Sequence, residues 1–228
     1  MRRIFALLLC LCLLPVRAEA EAPKYIALTF DDGPSGRFTR RLLDGLAERN
    51  AKATFFLCGY RIADYPEEAE RIFAEGHEIA IHGYSHGNMR YMSRREIDGE
   101  ILKTRSLLPE GCEPVWFRPP GGFVSDGVRQ VAGCKNMSIL HWSTDPKDWE
   151  CANSAIICRR VVAEAKDGDV VLLHDMSDSS VDAALTIVDV LSRRGFEFIT
   201  VSELAMRRRE TPQPGKTYTC FPPREEEK

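Results

Sequence analysis

No stretch of this chain is long and apolar enough to cross a bilayer. The longest near-continuous run, Ile4 to Leu14, covers 11 residues, against the roughly 20 that a spanning helix needs. There is no low-complexity tract and no internal repeat, which excludes repeat architectures. No C-x-x-C pair occurs, which argues against a zinc-thiolate site. No basic stripe stands out either. The cluster Arg207-Arg208-Arg209 is short and falls near the end of an expected helix, where cations complement the helix dipole. Nucleic acid is therefore excluded as a partner.

What is present begins with an export pattern. Met1-Arg2-Arg3 is a short positive start, the apolar run follows, and Ala18-Glu19-Ala20 fits a small-x-small cleavage site. Residues 1–20 are expected to be a cleaved secretory signal peptide, with no stable membrane insertion and a periplasmic or secreted product. Its loss removes Arg2, Arg3, Arg17 and Glu19, so the net charge moves from −3 to near −5. Residues 21–210 then form one domain with a sizeable core, and residues 211–228 form a tail packed on it or trailing from it. Six of the eight cysteines remain after cleavage: Cys58, Cys112, Cys134, Cys151, Cys158 and Cys220. In an exported chain an even set favours up to three disulfides. Cys151–Cys158 would close a short loop, and Cys220 would pin the Pro-rich tail.

Strand-like and helix-like runs alternate along the domain. The strand candidates are residues 25–30, 54–57, 78–82, 115–117, 137–141, 169–174 and 196–201. Amphipathic stretches lie between them: residues 38–48, 67–74, a run opened by the capping-box pattern Ser93-Arg94-Arg95-Glu96, then 155–166 and 181–194. Seven strands alternating with helices imply a parallel sheet with helices outside, either closed or open. In both arrangements chemistry gathers where strands end. Asp31-Asp32 end the first strand, His82 the third and His174 the sixth, while Arg118 follows the fourth and Asp145 trails the fifth.

Adjacent carboxylates repel and need a cation, a proton or separate roles. In "HGYSH", His82 and His86 stand four apart, which would bring both imidazoles to one side of a helical turn. Two histidines with one carboxylate from Asp31-Asp32 make a donor set for zinc or another divalent metal. One aspartate can then ligate, and its neighbour can take a proton from a water whose pKa the metal lowers.

The segments "TFDDGP", "HGYSH", "RPPGG", "DPKDW" and "LLHD" occur in the order of the five motifs of polysaccharide deacetylases, the NodB-homology group also called carbohydrate esterase family 4. The chain resembles that family from about Lys24 to Ala205. The resemblance implies an α/β fold, a distorted (β/α)7–8 barrel, and metal-dependent deacetylation of a carbohydrate polymer or oligomer. It implies Asp31 as general base, with Asp32, His82 and His86 as ligands of Zn2+ (Co2+, Ni2+ or Mn2+ also fit). Arg118 resembles the arginine that orients the base and His174 the general acid. Asp145 resembles the carboxylate that keeps His174 charged, and Asp148 competes with it for that role. Gly121, with its N–H in the "RPPGG" turn, and Trp149, Tyr84 and Leu172 are assigned to the substrate. Two departures stand out: Gly83 replaces a Ser or Thr that would brace the metal loop, and Gly121 replaces a Tyr.

His77 reads as a structural turn histidine, and His141 as packed. Asp175 either orients His174 or caps the next turn. Phe123 and Trp142 are further candidates for stacking on sugar. The expected substrates are N-acetylglucosamine units of peptidoglycan or chitin-like oligomers. Three other readings stay open: O-acetyl esterase action on xylan or exopolysaccharide, cyclic-amide cleavage, and a non-catalytic carbohydrate-binding protein.

Overall fold

The computed structural model describes residues 23–224; the expected signal peptide and the acidic residues 225–227 lie outside them. Eight strands are present among the described residues: β1 (Lys24–Asp31), β2 (Thr54–Leu57), β3 (Glu78–Ile81), β4 (Trp116–Phe117), β5 (Ser138–Leu140), β6 (Val170–His174), β7 (Phe196–Phe198) and β8 (Thr217–Tyr218). They form one sheet in the order β6-β1-β2-β3-β4-β5-β8, with β7 paired to the start of β1. Every strand pair is parallel. Beyond β5, Thr144 bridges to Val171 of β6, so the sheet curls until its far sides meet. This is the distorted barrel that the strand–helix alternation implies.

Among the described residues eight α-helices cover the outside: α1 (Arg37–Glu48), α2 (Gly59–Asp64), α3 (Pro66–Ala74), α4 (Arg94–Arg105), α5 (Asp126–Cys134), α6 (Ser154–Glu164), α7 (Asp178–Ser192) and α8 (Val201–Arg207). The capping box forms at α4, where the Ser93 side chain accepts from Glu96 N–H and Glu96 reaches back to Ser93 N–H. The short α2 and α5 carry too few periodic apolar positions to announce themselves. β7 stops at Phe198, short of the expected Val201, because Thr200 accepts from Glu203 N–H and opens α8.

Strands buried on both faces read as continuous apolar runs, and period-two alternation sorts their side chains. Ile26, Leu28 and Phe30 of β1 face outward and pack with Leu42, Leu43 and Leu46 of α1 and Ile187 and Leu191 of α7. Ala27, Phe56, Ala80, Trp116, Leu140 and Val170 fill the barrel interior. Counting onward by twos from this inner row gives Thr29 and Asp31, then His82, Arg118, Leu172 and His174. One parity rule thus sends those residues inward as their strands reach the C-terminal edge.

The tail departs from expectation by supplying a strand. Thr217 and Tyr218 of β8 pair with Ile139 and Leu140, and Phe221 N–H donates to Gly168 O at 2.8 Å. Gly168 has φ +92°, and a Cβ there would lie 2.0 Å from the Phe221 carbonyl oxygen, so only glycine lets the tail in this close. Backbone pairing therefore pins the tail, and no disulfide is involved. All six described cysteines are free thiols, against the expected bridges. Cys158, on α6, packs in the outer core, while the Cys151 thiol turns to the Asn153 carbonyl.

Tyr218 and Phe221 stack at 5.7 Å and both meet the Trp116 ring edge-on, closing the bottom of the barrel. Phe221→Ala should lower the unfolding free energy by about 3 kcal/mol, read as a lower urea midpoint. Tyr91→Ala, at a position 80% exposed, should stay within about 0.5 kcal/mol of wild type.

Candidate active site

Arg118 sits at the centre of the inner row and is fully buried. Its Nη1 donates to Asp31 Oδ1 at 2.6 Å and to Thr29 Oγ1 at 3.0 Å. Its Nε and Nη2 donate to the carbonyls of Leu140 and His141 at 3.0 and 2.7 Å. Asp31 is thereby held by one oxygen, and its Oδ2 lies 3.7 Å from His82 Nε2. The Arg118 carbonyl is 2.7 Å from His82 Nδ1. A proton on Nδ1 satisfies that contact and leaves the Nε2 lone pair facing the site.

Asp32, His82 and His86 converge, with one donor atom from each lying within 4.8 Å of the others. His82 Nε2 and His86 Nε2 stand 3.3 and 3.0 Å from Asp32 Oδ1. Donors arranged tetrahedrally about 2.0–2.2 Å from a zinc ion are separated by roughly 3.3–3.6 Å, so the trio has suitable spacing. Asp32 Oδ1 is buried and has no hydrogen-bond partner, as suits an atom reserved for a cation. Burial alone would raise the Asp32 pKa. The contacts and charges of His82 and His86 outweigh it and hold the carboxyl well below the usual carboxylate range. The donor set fits a divalent metal.

The route to this convergence differs from the expected helical turn. His82 and His86 lie in a loop after β3, with Gly83 at φ +87° and His86 at φ +56°. The left-handed turn folds the second ring back on the first, to a centroid distance of 5.2 Å. Asp32 is also left-handed, at φ 71°.

The partner of His174 corrects the sequence-based order. Asp148, not Asp145, holds it: His174 Nδ1 lies 2.8 Å from Asp148 Oδ1, and His174 N–H donates to Asp148 Oδ2 at 2.8 Å. Asp145 is exposed and accepts from Lys147 N–H at 2.8 Å, closing a turn through Lys147 at φ 53° that delivers Asp148 inward. Burial alone would lower the His174 pKa. The bond to Asp148 and its charge, backed by Asp31 and Asp32, push it up to about 9. His174 Nε2 is left pointing toward the cluster, 4.0 Å from Asp32 Oδ2.

Asp175 does not touch the imidazole. It is fully buried, takes the Thr39 hydroxyl and, through its carbonyl, the Ser35 hydroxyl. It therefore braces the turn behind Asp31-Asp32, and burial raises its pKa to about 6. His77 is structural: it is buried, and its Nδ1 accepts from Ala53 N–H at 3.2 Å.

A cavity of about 390 Å³ opens over the cluster, walled by Gly121, Gly122, Trp142, Trp149 and Leu172, with Asp145 at its margin. A second cavity of about 550 Å³ shares Asp32, Trp149 and His174 with it and runs toward Met176 and Ser177. Trp149, 64% exposed, forms the ridge between them. Tyr84 is not in either wall: its ring turns away, with Lys103 Nζ 5.5 Å from its centroid. The direction a Gly121 side chain would take is filled by the Phe123 ring, 3.0 Å from a Cβ built there, so an aromatic side chain still stands beside this turn.

Comparison with known proteins agrees with this geometry. The polysaccharide deacetylase family model matches residues 18–139. Over 192 residues the chain is 37% identical to the peptidoglycan-N-acetylglucosamine deacetylase PgdA of Listeria monocytogenes serotype 1/2a. That match covers 83% of this chain but 41% of the relative, so the chain spans about two fifths of that relative's length. The structure of peptidoglycan deacetylase PdaC from Bacillus subtilis superposes with a TM-score of 0.79 at 36% identity, over 83% of this chain and 93% of that one. A family 4 acetyl xylan esterase from Clostridium thermocellum, solved in complex with a cobalt ion, gives 0.81 at 30% identity, over 87% and 100%.

The His174–Asp148 pair has a pH signature. A histidine whose folded pKa is raised from 6.5 to about 9 adds stability that is fully present below the lower value and lost as pH rises through the upper one. Asp148→Asn should drop the His174 pKa toward 6.5, followed by NMR titration of the imidazole. Its stability deficit against wild type should be larger at pH 6 than at pH 10. Asp145→Asn should leave the His174 titration unchanged.

Proposed function

The chain belongs to the polysaccharide deacetylase family, and from that premise we propose that it is a metal-dependent hydrolase removing acetyl groups from carbohydrate. N-acetylglucosamine units in peptidoglycan or chitin-like oligosaccharides are the first substrate class. One observation carries the reading. A carboxylate and an imidazole both approach the same three-donor cluster, Asp31 Oδ2 at 3.7 Å from His82 Nε2 and His174 Nε2 at 4.0 Å from Asp32 Oδ2.

Asp32, His82 and His86 would hold the cation, and Zn2+ suits two imidazoles and a carboxylate, with Co2+, Ni2+ or Mn2+ as substitutes. When bound, such an ion polarises an acyl carbonyl and makes water acidic enough to attack near neutral pH. Asp31, fixed by Arg118 through Oδ1, uses Oδ2 as the general base that takes the proton from the attacking water. Arg118 keeps this carboxylate correctly turned. His174 gives its Nε2 proton to the departing nitrogen, and Asp148 keeps the ring charged and oriented. The two groups thus take separate roles, one accepting a proton and the other donating one, as an acid–base pair requires. Leu172 and Trp149 form an apolar wall for the acetyl methyl, and the adjoining cavity beyond Trp149 accommodates a neighbouring part of the substrate. Gly121 brings backbone close to the developing oxyanion.

A charged His174 favours an amide substrate, because an amine leaves only when protonated, whereas an alkoxide leaves more readily. The barrel that would carry this activity includes the strand Thr217–Tyr218 from the tail. Among the described residues no helix is long and apolar enough to cross a membrane. A peptidoglycan substrate calls for export, in keeping with the signal-like residues 1–20, so the enzyme works in the periplasm or outside the cell.

Acetate release from chitin oligomers, peptidoglycan and acetylated xylan, with and without chelator, tests the reading. Release from the N-acetylated substrates should exceed that from xylan and should stop with chelator. Asp31→Asn should keep bound Zn2+ and lose about 10²–10⁴-fold in turnover. Sugar binding without acetate release under Zn2+, Co2+, Ni2+ or Mn2+ would make the chain a binding protein instead.

A further inference from the structure

The loop that carries His82 and His86 lacks the hydroxyl expected beside the first histidine, because Gly83 stands there. A Cβ at Gly83 would lie 2.8 Å from Met89 Cε and 3.3 Å from Glu100 Oε2, so that space is already taken by two other side chains. Glu100 reaches in from α4 and accepts from Tyr84 N–H and Ser85 N–H, both at 2.8 Å, and from the Ser85 hydroxyl at 3.0 Å. On the other side of the loop, the carbonyls of Gly83 and Tyr84 accept from Gly59 N–H and Tyr60 N–H at 3.0 Å each. The loop is clamped by its amides on α4 and by its carbonyls on the start of α2.

This clamp matters because little else fixes His86. Its side chain is 43% exposed, and its backbone is left-handed at φ +56°, a conformation that persists only where the surroundings impose it. Glu100 itself is firmly placed. Ile97 and Ile101 on either side are fully buried, and the Thr104 hydroxyl donates to the Glu100 carbonyl at 2.9 Å.

We propose that Glu100 is the positioning residue of the two-histidine loop: it takes the place of the missing hydroxyl, holds His86 against Asp32 and His82, and so sets the affinity for a divalent cation. The inference rests on the metal-dependent reading above, and its test does not use deacetylase activity. Metal-stripped wild type, E100A and E100Q are titrated with Zn2+ by calorimetry, and exchange of the Tyr84 and Ser85 amides is followed in the same proteins. E100A should bind Zn2+ about 10–100-fold more weakly, with faster exchange at both amides. E100Q keeps a carbonyl oxygen for the two N–H groups and should recover most of that loss. If E100A does not fold, E100D, which keeps the charge but shortens the reach, should show the same weakening. Zn2+ affinity in E100A (or E100D) within twofold of wild type, or a loss that E100Q does not recover, overturns the proposal. Wild type that takes up no Zn2+ sinks the metal-dependent reading as well.

Discussion

The buried ion pair between Arg118 and Asp31 is the contact on which the rest of the site depends. An ionised guanidinium inside a barrel is costly unless its donors are met, and here Asp31, Thr29, Leu140 and His141 meet them. The planar face lies 4.0 Å over the Phe56 ring centroid, an arrangement that suits a delocalised guanidinium better than the compact ammonium of lysine. Arg118 contributes its backbone too, since its carbonyl fixes the ring of His82. One residue therefore orients both the Asp31 carboxylate and the His82 imidazole of the three-donor cluster. Loss of either partner would leave an unpaired charge in the interior, so the pair couples the stability of the barrel to the geometry of its site.

That coupling follows from strand parity. Asp31, His82, Arg118 and His174 come from four strands, but each continues the inward-facing row of its own strand. The ladders fix their heights: Asp31 is level with both Phe56 and His174, and Ile81 is level with Phe117, which sets His82 beside Arg118. A slip of one residue in any strand would exchange a polar inward group for an outward apolar one. The outward set (Phe30, Ile81, Phe117 and Leu173) is fully buried against helices. The same hydrophobic burial that folds the sheet thus forbids the registers that would scatter the site.

How far this was legible in the sequence depends on the range of the interaction involved. Strand-end residues were readable, because an apolar run followed by a charged or imidazole side chain is a local signal and parallel topology repeats it along one edge. The choice between Asp145 and Asp148 was not, because it turns on a left-handed residue, Lys147, between them. The useful clue was the adjacent Pro146: a turn there uses up Asp145 on the Lys147 amide. The expected helical turn from His82 to His86 failed for a related reason. Gly83 follows the first histidine directly, and a glycine at that point breaks helical continuation. The strand in the tail was hidden by its length, two residues whose only hint is the aromatic pair Tyr218 and Phe221. Cysteine counting misled because it weighs compartment and parity of number, whereas Cys58 and Cys158 serve as small apolar groups in the core.

The distribution of backbone strain separates the parts of the molecule that fold from the parts that act. Among the described residues, six non-glycine residues have positive φ. Asn50, Asn136 and Arg209 each stand just past a helix, α1, α5 and α8, where a left-handed residue is an ordinary way to end it. Asp32, His86 and Lys147 end no helix. All three lie at the C-terminal edge, and they deliver two members of the three-donor cluster and the partner of His174. Each such conformation costs of order 1–3 kcal/mol, and each has neighbours that hold it: the buried strand before Asp32 and the Asp175-braced turn after it, the Glu100 contacts in the His86 loop, and the Asp145 carboxylate on the Lys147 amide. The edge can therefore present side chains at angles that regular strands and helices do not reach, because the inner and outer rows below it supply the stability.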